Sequence, residues 1–84
     1  MLSARFAREV IVTRHARHRM NERGISEAVL LRVIDEGQLR YRDATHLWAW
    51  LSVTGRQDNL LCAVLVLEDA LVVKTVLHHW EPLP

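Results

Sequence analysis

Apolar and polar residues follow two different periods along this chain of 84 residues. Between positions 12 and 37 the apolar residues recur every three to four positions, which is the spacing of one face of an α-helix. From position 39 onward they alternate with polar residues or form short continuous runs, as they do in strands. The change of period predicts two helices followed by a group of strands.

The first predicted helix has a clear start and stop. Thr13 is a good N-cap, because its hydroxyl can accept a hydrogen bond from a free amide of the first turn. Gly24 suits the position after the last turn, because glycine enters the left-handed conformation at little cost. Val12, Ala16 and Met20 fall on one side of this helix. We therefore expect it to bury only a narrow apolar strip.

The second predicted helix is far more apolar. Ser26 is its N-cap, Glu27 complements the helix dipole in the first turn, and Gly37 closes it. Its apolar residues recur at helical spacing: Ile25, Val29, Leu30, Val33 and Ile34. We expect this helix to pack flat on a sheet.

Residues 9–12 form a possible short edge strand, and the strands proper are expected at 39–42, 45–53, 60–67 and 71–79. Consecutive helices that precede consecutive strands joined by short turns indicate an α+β fold. The sequence predicts one domain, residues 1–84, with two N-terminal helices packed on one face of an antiparallel β-meander of three to four strands.

Composition excludes several classes of protein. Half of the residues are apolar and a quarter are charged, which is typical of a soluble globular domain and not of a disordered chain. The longest apolar run, Leu60 to Leu67, is far shorter than the ~20 residues that span a bilayer. The N-terminus has no hydrophobic signal segment, and the single cysteine, Cys62, is expected to be a buried thiol. These features predict a cytoplasmic protein without a membrane partner.

Charge is unevenly distributed along the chain. Residues 1–23 carry six Arg and two Glu, residues 24–56 are balanced, and residues 57–84 carry one Lys and four acidic residues. A basic N-terminal third suits an anionic partner such as RNA or an acidic protein.

One edge of the first helix is the best candidate for chemistry. His15, Arg19, Glu22 and Arg23 form a stripe beside the apolar strip, with His18 at its margin. Histidine can act as an acid or a base at neutral pH, and arginine can bind a phosphate through two hydrogen bonds. The alternative is structural, with His15 packing the helix start and the arginines paired with acidic neighbours.

The motif His15-Ala16-x-x-Arg19-Met20-x-x-Arg23-Gly24-Ile25-Ser26, with the strand Val72-Val73-Lys74-Thr75-Val76, resembles a family of small bacterial proteins. That family is grouped with the RelE/ParE-like toxins and, more remotely, resembles the metal-independent RNases with a barnase/EndoU/colicin/RelE-type fold. The resemblance implies an RNA-cutting cleft with His15, Arg19 and Thr75 as catalytic residues. It also implies substrate contacts from Arg23, His18 and Lys74.

A metal site is not predicted. His15-x-x-His18 and His78-His79 are possible ligands, but no carboxylate or cysteine stands at a convincing third position. No cofactor is implied either.

The tryptophans indicate a second kind of site. His46, Trp48 and Trp50 alternate with apolar residues and would lie on the sheet face away from the helices, and Trp80 would extend this group. Paired tryptophans stack on bases or anchor a protein partner, unless other side chains of the domain cover them. Because this face shows little positive charge in the sequence, we expect a protein partner.

Two hypotheses follow. The first is a toxin-type RNase or RNA-binding protein that a partner antitoxin neutralises. The alternative is a non-catalytic interaction module of the same fold, whose tryptophan face forms a homodimer or binds a partner.

Overall fold

A computed structural model of the chain describes residues 1–52 and 60–78. Its elements are β1 (Leu2–Ser3), β2 (Arg8–Val12), α1 (Arg14–Arg23), α2 (Glu27–Glu36), β3 (Gln38–Tyr41), β4 (His46–Ser52), β5 (Leu60–Leu67) and β6 (Leu71–His78). The strands form one six-stranded sheet in the order β1-β2-β6-β5-β4-β3.

Both helices begin and end where the capping residues predicted. The Thr13 hydroxyl accepts a hydrogen bond from the amide of Ala16, and α1 ends at Gly24, whose φ of 64° is left-handed. The Ser26 hydroxyl accepts a hydrogen bond from the amide of Val29 at the start of α2. These side chains satisfy amides that have no partner within the helix, which fixes each boundary locally.

The sheet has six strands, more than the three to four predicted. Strands β3 to β6 form the expected antiparallel meander, but β2 pairs in parallel with β6, so the sheet is mixed. The parallel pairing joins residues 10–12 to residues 71–73. Partners about sixty positions apart leave no local pattern in the sequence, and β1 has only two residues. The α+β class was therefore predictable, whereas the complete sheet was not.

A β-bulge interrupts β6 at Lys74. Val73 pairs with Leu65 and Thr75 pairs with Val64, so Lys74 is an extra residue between two successive pairs. A bulge bends its strand and increases the local twist. This irregularity lies where β2 ends and α1 begins.

The core lies between the helices and one face of the sheet, here called the inner face. Its buried residues include Ala16 and Met20 from α1, together with a larger group from α2 and the strands: Leu30, Val33, Ile34, Leu47, Ala49, Leu61, Ala63, Leu65, Leu71, Val73 and Val76. The narrow apolar strip of α1 and the wider apolar face of α2 are both confirmed.

The N-terminal segment, residues 1–9, is tied to the end of α2. The hydroxyl of Ser3 donates a hydrogen bond to Asp35, and the amides of Ala4 and Arg5 also donate to that carboxylate. The Arg5 guanidinium donates to the carbonyl oxygens of Ile34, at 3.2 Å, and Gly37, at 2.7 Å. A cation at a helix C-terminus complements the dipole and satisfies carbonyls that have no partner within the helix.

Candidate functional site

The sheet face opposite the helices, here called the outer face, carries the tryptophans. Leu47 and Ala49 are buried in the core, so the alternation of β4 places Trp48 and Trp50 on the outer face, where both are half-buried. This confirms the predicted division of β4 between its two faces.

Four residues stand in register across this face, one from each strand of the meander. Arg40 pairs with Trp48, Trp48 with Val64, and Val64 with Thr75. Adjacent strands are about 4.8 Å apart, so this outer row extends for roughly 14 Å from end to end. The row joins a basic side chain, an indole ring and a hydroxyl along one continuous line.

Positive charge on the outer face is greater than the sequence analysis expected. Arg40 is the partner of Trp48 in the β3–β4 pairing, and Arg42, two residues further on, lines a surface pocket with His46 and Trp48. Both arginines are exposed. The expectation of little positive charge was wrong, because it considered only β4 itself and not the arginines that β3 aligns beside it.

The first turn of α1 lies next to the bulge of β6. The Thr13 amide donates a hydrogen bond to the carbonyl of Val73, and the Thr13 hydroxyl donates to the carbonyl of Lys74, both at 3.2 Å. His15 follows two residues later and is exposed, while Thr75 comes directly after the bulge. The structure therefore brings the backbones around His15, Lys74 and Thr75 to one corner of the sheet, here called the α1–β6 corner.

The other predicted residues of α1 are arranged differently. Arg19 is half-buried one turn after His15, and Arg23 is exposed in the last turn. His18 lies 3.4 Å from the carboxylate of Glu22, through Nε2 and Oε1. Since α1 packs on the inner face and Thr75 pairs with an outer-face residue, one shared cleft for His15, Arg19 and Thr75 stays a prediction.

A carboxylate–imidazole pair in the β3–β4 loop was missed by the sequence analysis. Oδ1 of Asp43 lies 2.9 Å from Nδ1 of His46 and accepts hydrogen bonds from the amides of Thr45 (2.9 Å) and His46 (2.8 Å). The Thr45 hydroxyl also donates to it. These hydrogen bonds hold the pKa of Asp43 well below its usual range, and the bond from the Thr45 amide has the largest effect. The sequence cue was an aspartate two residues before a threonine after a strand, which is typical of an Asx turn.

A pocket of about 60 Å³ lies beside this pair. It is lined by Arg42, His46, Leu47, Trp48, Val64 and Leu65. A smaller space of about 10 Å³ lies in the core between α2 and the sheet and has an apolar lining. Of these two, only the pocket at Arg42 and His46 offers a guanidinium and an imidazole, whereas the one titratable group that lines the core space is the buried thiol of Cys62.

Other predicted groups have separate places. Cys62 is buried, as predicted, and burial raises the pKa of its thiol to about 12. Trp80 lies outside the described residues. Among the residues that the structure does describe, there is no group of three or more His, Cys, Asp or Glu side chains that could hold a metal ion.

Comparison with known proteins concerns the whole domain. Neither described helix has the length and apolar character required to cross a membrane. No curated protein and no solved structure shows significant similarity to the chain. One family model matches residues 12–78, from the last residue of β2 to the end of β6. Because this segment makes up most of the chain, the protein belongs to the family described as Domain of unknown function (DUF4258).

Proposed function

We propose that this protein is a toxin-type, RNA-binding endoribonuclease that needs no metal and that a partner antitoxin neutralises. The observation that carries the proposal is the outer row, in which Arg40, Trp48 and Thr75 are aligned across the sheet and end beside the first turn of α1. The proposal also builds on the resemblance of the α1 motif to the RelE/ParE-like toxins.

The chemistry of the outer row suits a single-stranded nucleic acid. Indole rings stack on bases of any identity, and each such stack contributes about 1–3 kcal/mol. Arg42 is exposed and lines a pocket with Trp48, so it adds positive charge where it can neutralise a phosphate. An RNA strand on this face would run from β3 toward the α1–β6 corner.

The α1–β6 corner offers the groups for cleavage. His15 would take the proton of a 2′-hydroxyl, so that the 2′-oxygen attacks the adjacent phosphorus and the bond to the 5′-oxygen breaks. The proton then passes from the imidazole to the leaving 5′-oxygen, leaving a 2′,3′-cyclic phosphate. Arg19 and Lys74 would supply positive charge to the phosphate, and Thr75 a hydrogen bond. A positioned acid–base group contributes ~10²–10⁴-fold to the rate.

Cleavage of a labelled single-stranded RNA in the presence of EDTA tests the proposal. We expect the wild-type protein to produce 2′,3′-cyclic ends, and His15→Ala to lower the rate by about a hundredfold or more. Asn21→Ala is the control, since it removes an exposed polar side chain of the same helix that has no part in the proposed chemistry. Equal rates for the two variants, or no cleavage by the wild type, would contradict the catalytic proposal.

Binding is measured separately with an RNA that cannot be cleaved because its 2′-hydroxyls are methylated. Trp48→Ala is expected to weaken binding about tenfold, by loss of one stacked base. Tyr41→Ala is the control, because Tyr41 is an exposed aromatic residue on the other face of β3. A Trp48→Ala protein that binds as tightly as the wild type would rule out stacking at this position.

The antitoxin part of the proposal is tested in cells. Induced expression of the wild type should arrest growth, His15→Ala should relieve the arrest, and co-expression of a neighbouring small protein should suppress it. Normal growth on induction of a folded wild-type protein would contradict the toxin function.

Exposed apolar residues support a second candidate function, a non-catalytic interaction module. Ile11 is 51% exposed and Leu77 is 38% exposed, and both lie on the outer face by their pairing with Val72 and Cys62. Apolar residues at the margin of a tryptophan-bearing face are typical of protein interfaces. Sedimentation equilibrium of the wild type and of Ile11→Ser/Leu77→Ser tests it: a dimer that dissociates in the double variant supports the module.

A further inference from the structure

The pocket beside the β3–β4 loop is lined by Arg42 and His46, which have no role in the proposed cleavage step. We propose that Arg42 and His46 form a phosphate-binding subsite, which takes a phosphodiester group of an RNA strand stacked on Trp48. The RNA identity of the ligand rests on the proposed function, whereas phosphate recognition itself rests on the pocket alone.

The orientation of the His46 ring is the first step of the argument. Its Nδ1 is held 2.9 Å from Oδ1 of Asp43, and its backbone amide donates to the same oxygen at 2.8 Å. With Nδ1 occupied, Nε2 on the other side of the ring is the nitrogen left for a ligand. In the doubly protonated ring, Nδ1 donates to Asp43 and Nε2 carries a second proton that can be donated to a phosphate oxygen.

The negative charge of Asp43 lies outside the lining of the pocket. Its Oδ1 accepts from Thr45 and His46 within the loop, and Asp43 is not among the residues that line the pocket. Hydrogen bonds to these local donors keep the carboxylate ionised, so it holds the ring in place over the working pH range. Asp43 is therefore a positioning residue.

Arg42 supplies the second donor group. It is exposed, lines the same pocket, and has no hydrogen bond or ion pair with another side chain in the described parts of the chain. Its own amide donates to the carbonyl of His46 at 2.8 Å, which fixes its backbone at the mouth of the loop. Guanidinium groups bind phosphate through two parallel hydrogen bonds.

The pocket also has room and a suitable wall. Its volume of about 60 Å³ is several times the ~10–15 Å³ that one water molecule requires. Trp48 lines the same space, so a phosphate at Arg42 and His46 would place an attached base near that residue. If this loop served only to connect β3 and β4, the hydrogen bonds between Asp43 and Thr45 would be sufficient. The guanidinium of Arg42 and the pocket would then have no role.

Inorganic phosphate is the direct probe of the subsite. It is titrated into the isotope-labelled protein at pH 6.0, and sodium chloride is added to a parallel sample to the same ionic strength. We expect phosphate, and not chloride, to shift the His46 ring and Trp48 indole resonances, and Arg42→Gln to weaken phosphate binding about tenfold.

Arg32→Gln is the matched control, because it removes the same charge from an exposed position on α2, beside Glu36. It should bind phosphate as the wild type does. Absence of the phosphate-specific shifts, or equal weakening by Arg42→Gln and Arg32→Gln in folded proteins, would overturn the subsite. The amide spectrum of each variant shows that it is folded.

A binding experiment with RNA tests the phosphate subsite separately from the proposed RNA-binding function. The second ligand is the 2′-O-methylated RNA, for which log K falls as log salt rises. Loss of one phosphate contact in Arg42→Gln should make this slope less negative by ~0.7, whereas Arg32→Gln should leave it unchanged. If the wild type bound phosphate at His46 but no RNA, the subsite would stand and the RNA function would fall. An unchanged slope in Arg42→Gln, with RNA still bound, would overturn the subsite as an RNA contact.

Discussion

Ser3 is the one polar side chain that is fully buried among the described residues, and its hydroxyl joins two parts of the chain. It donates to Asp35 of α2 and accepts from the amide of Phe6. Removing a buried partner leaves the remaining groups without a hydrogen bond, which costs about 1–3 kcal/mol. Ser3 therefore explains how the polar N-terminal segment is held against α2.

We expect Ser3→Ala to lower the free energy of unfolding by about 1–3 kcal/mol, measured by urea denaturation. Ser52→Ala is the control, since Ser52 is exposed at the end of β4, and it should change stability by less than about 0.5 kcal/mol. Equal stability of Ser3→Ala and the wild type would show that the hydrogen bonds of this hydroxyl do not contribute to folding.

Cys62 shows how burial controls the chemistry of one side chain. Its thiol is 1% exposed, and burial raises its pKa to about 12. Because only the thiolate is nucleophilic, iodoacetamide at pH 8 should modify the native protein at least a hundredfold more slowly than the urea-unfolded protein. Because the pKa is raised in the folded state, the contribution of Cys62 to stability should be constant below pH 8 and decrease as the pH rises above about 9. Rapid modification of the folded protein would contradict this account.

At the scale of elements, each helix is followed by a glycine, and the two positions require glycine for different physical reasons. Gly24 has a φ of 64° and open space around the position of a Cβ. Gly37 has an ordinary φ, but a Cβ there would press on the backbone carbonyls of Val33 and Trp50. One position requires a left-handed backbone, and the other requires the absence of a side chain.

Alanine substitution distinguishes the two cases. Gly24→Ala should cost about 1 kcal/mol, because only the backbone conformation opposes it. Gly37→Ala should cost about 2–3 kcal/mol, because α2 and β4 must move apart. Urea unfolding of both variants measures these costs. A larger loss of stability for Gly24→Ala than for Gly37→Ala would contradict the proposed reasons.

The helices were predictable from the sequence because their boundaries depend on local groups. Thr13 and Ser26 bond to amides three residues ahead, as their sequence context indicated. The bulge at Lys74 and the alignment of Arg40 beside Trp48 depend instead on the register between strands. No single segment specifies that register, so these features of the candidate site emerge only in the folded chain.

At the scale of the whole molecule, β2 links the beginning of the fold to its last strand. Val10 is buried at the centre of β2 and pairs with Leu71 of β6, while the next residue, Ile11, is half exposed on the outer face. Since β6 lies between β2 and β5, the sheet is complete only when these distant segments meet. We therefore expect the domain to unfold as one cooperative unit.

Val10→Ala should lower the free energy of unfolding by about 2 kcal/mol, from lost burial and the cavity left behind. Ile11→Ala, on the exposed side of the same strand, should cost less than about 1 kcal/mol. Tryptophan fluorescence reports on three tryptophans, two of which are in β4, and far-ultraviolet circular dichroism reports on the backbone. The two transitions should coincide in the wild type and in both variants. Separate transitions would mean that β2 unfolds independently of the meander.

The bulge has a consequence for how this domain tolerates changes in length. Lys74 is skipped by the cross-strand pairs on either side of it, so its excision would leave Val73 opposite Leu65 and Thr75 opposite Val64. The strand would straighten, and Thr13 would lose the carbonyl that its hydroxyl contacts. A protein without Lys74 should keep the same residues on each face of the sheet, while the start of α1 is displaced. Its activity would show whether the function requires the bend in β6 or only a folded sheet.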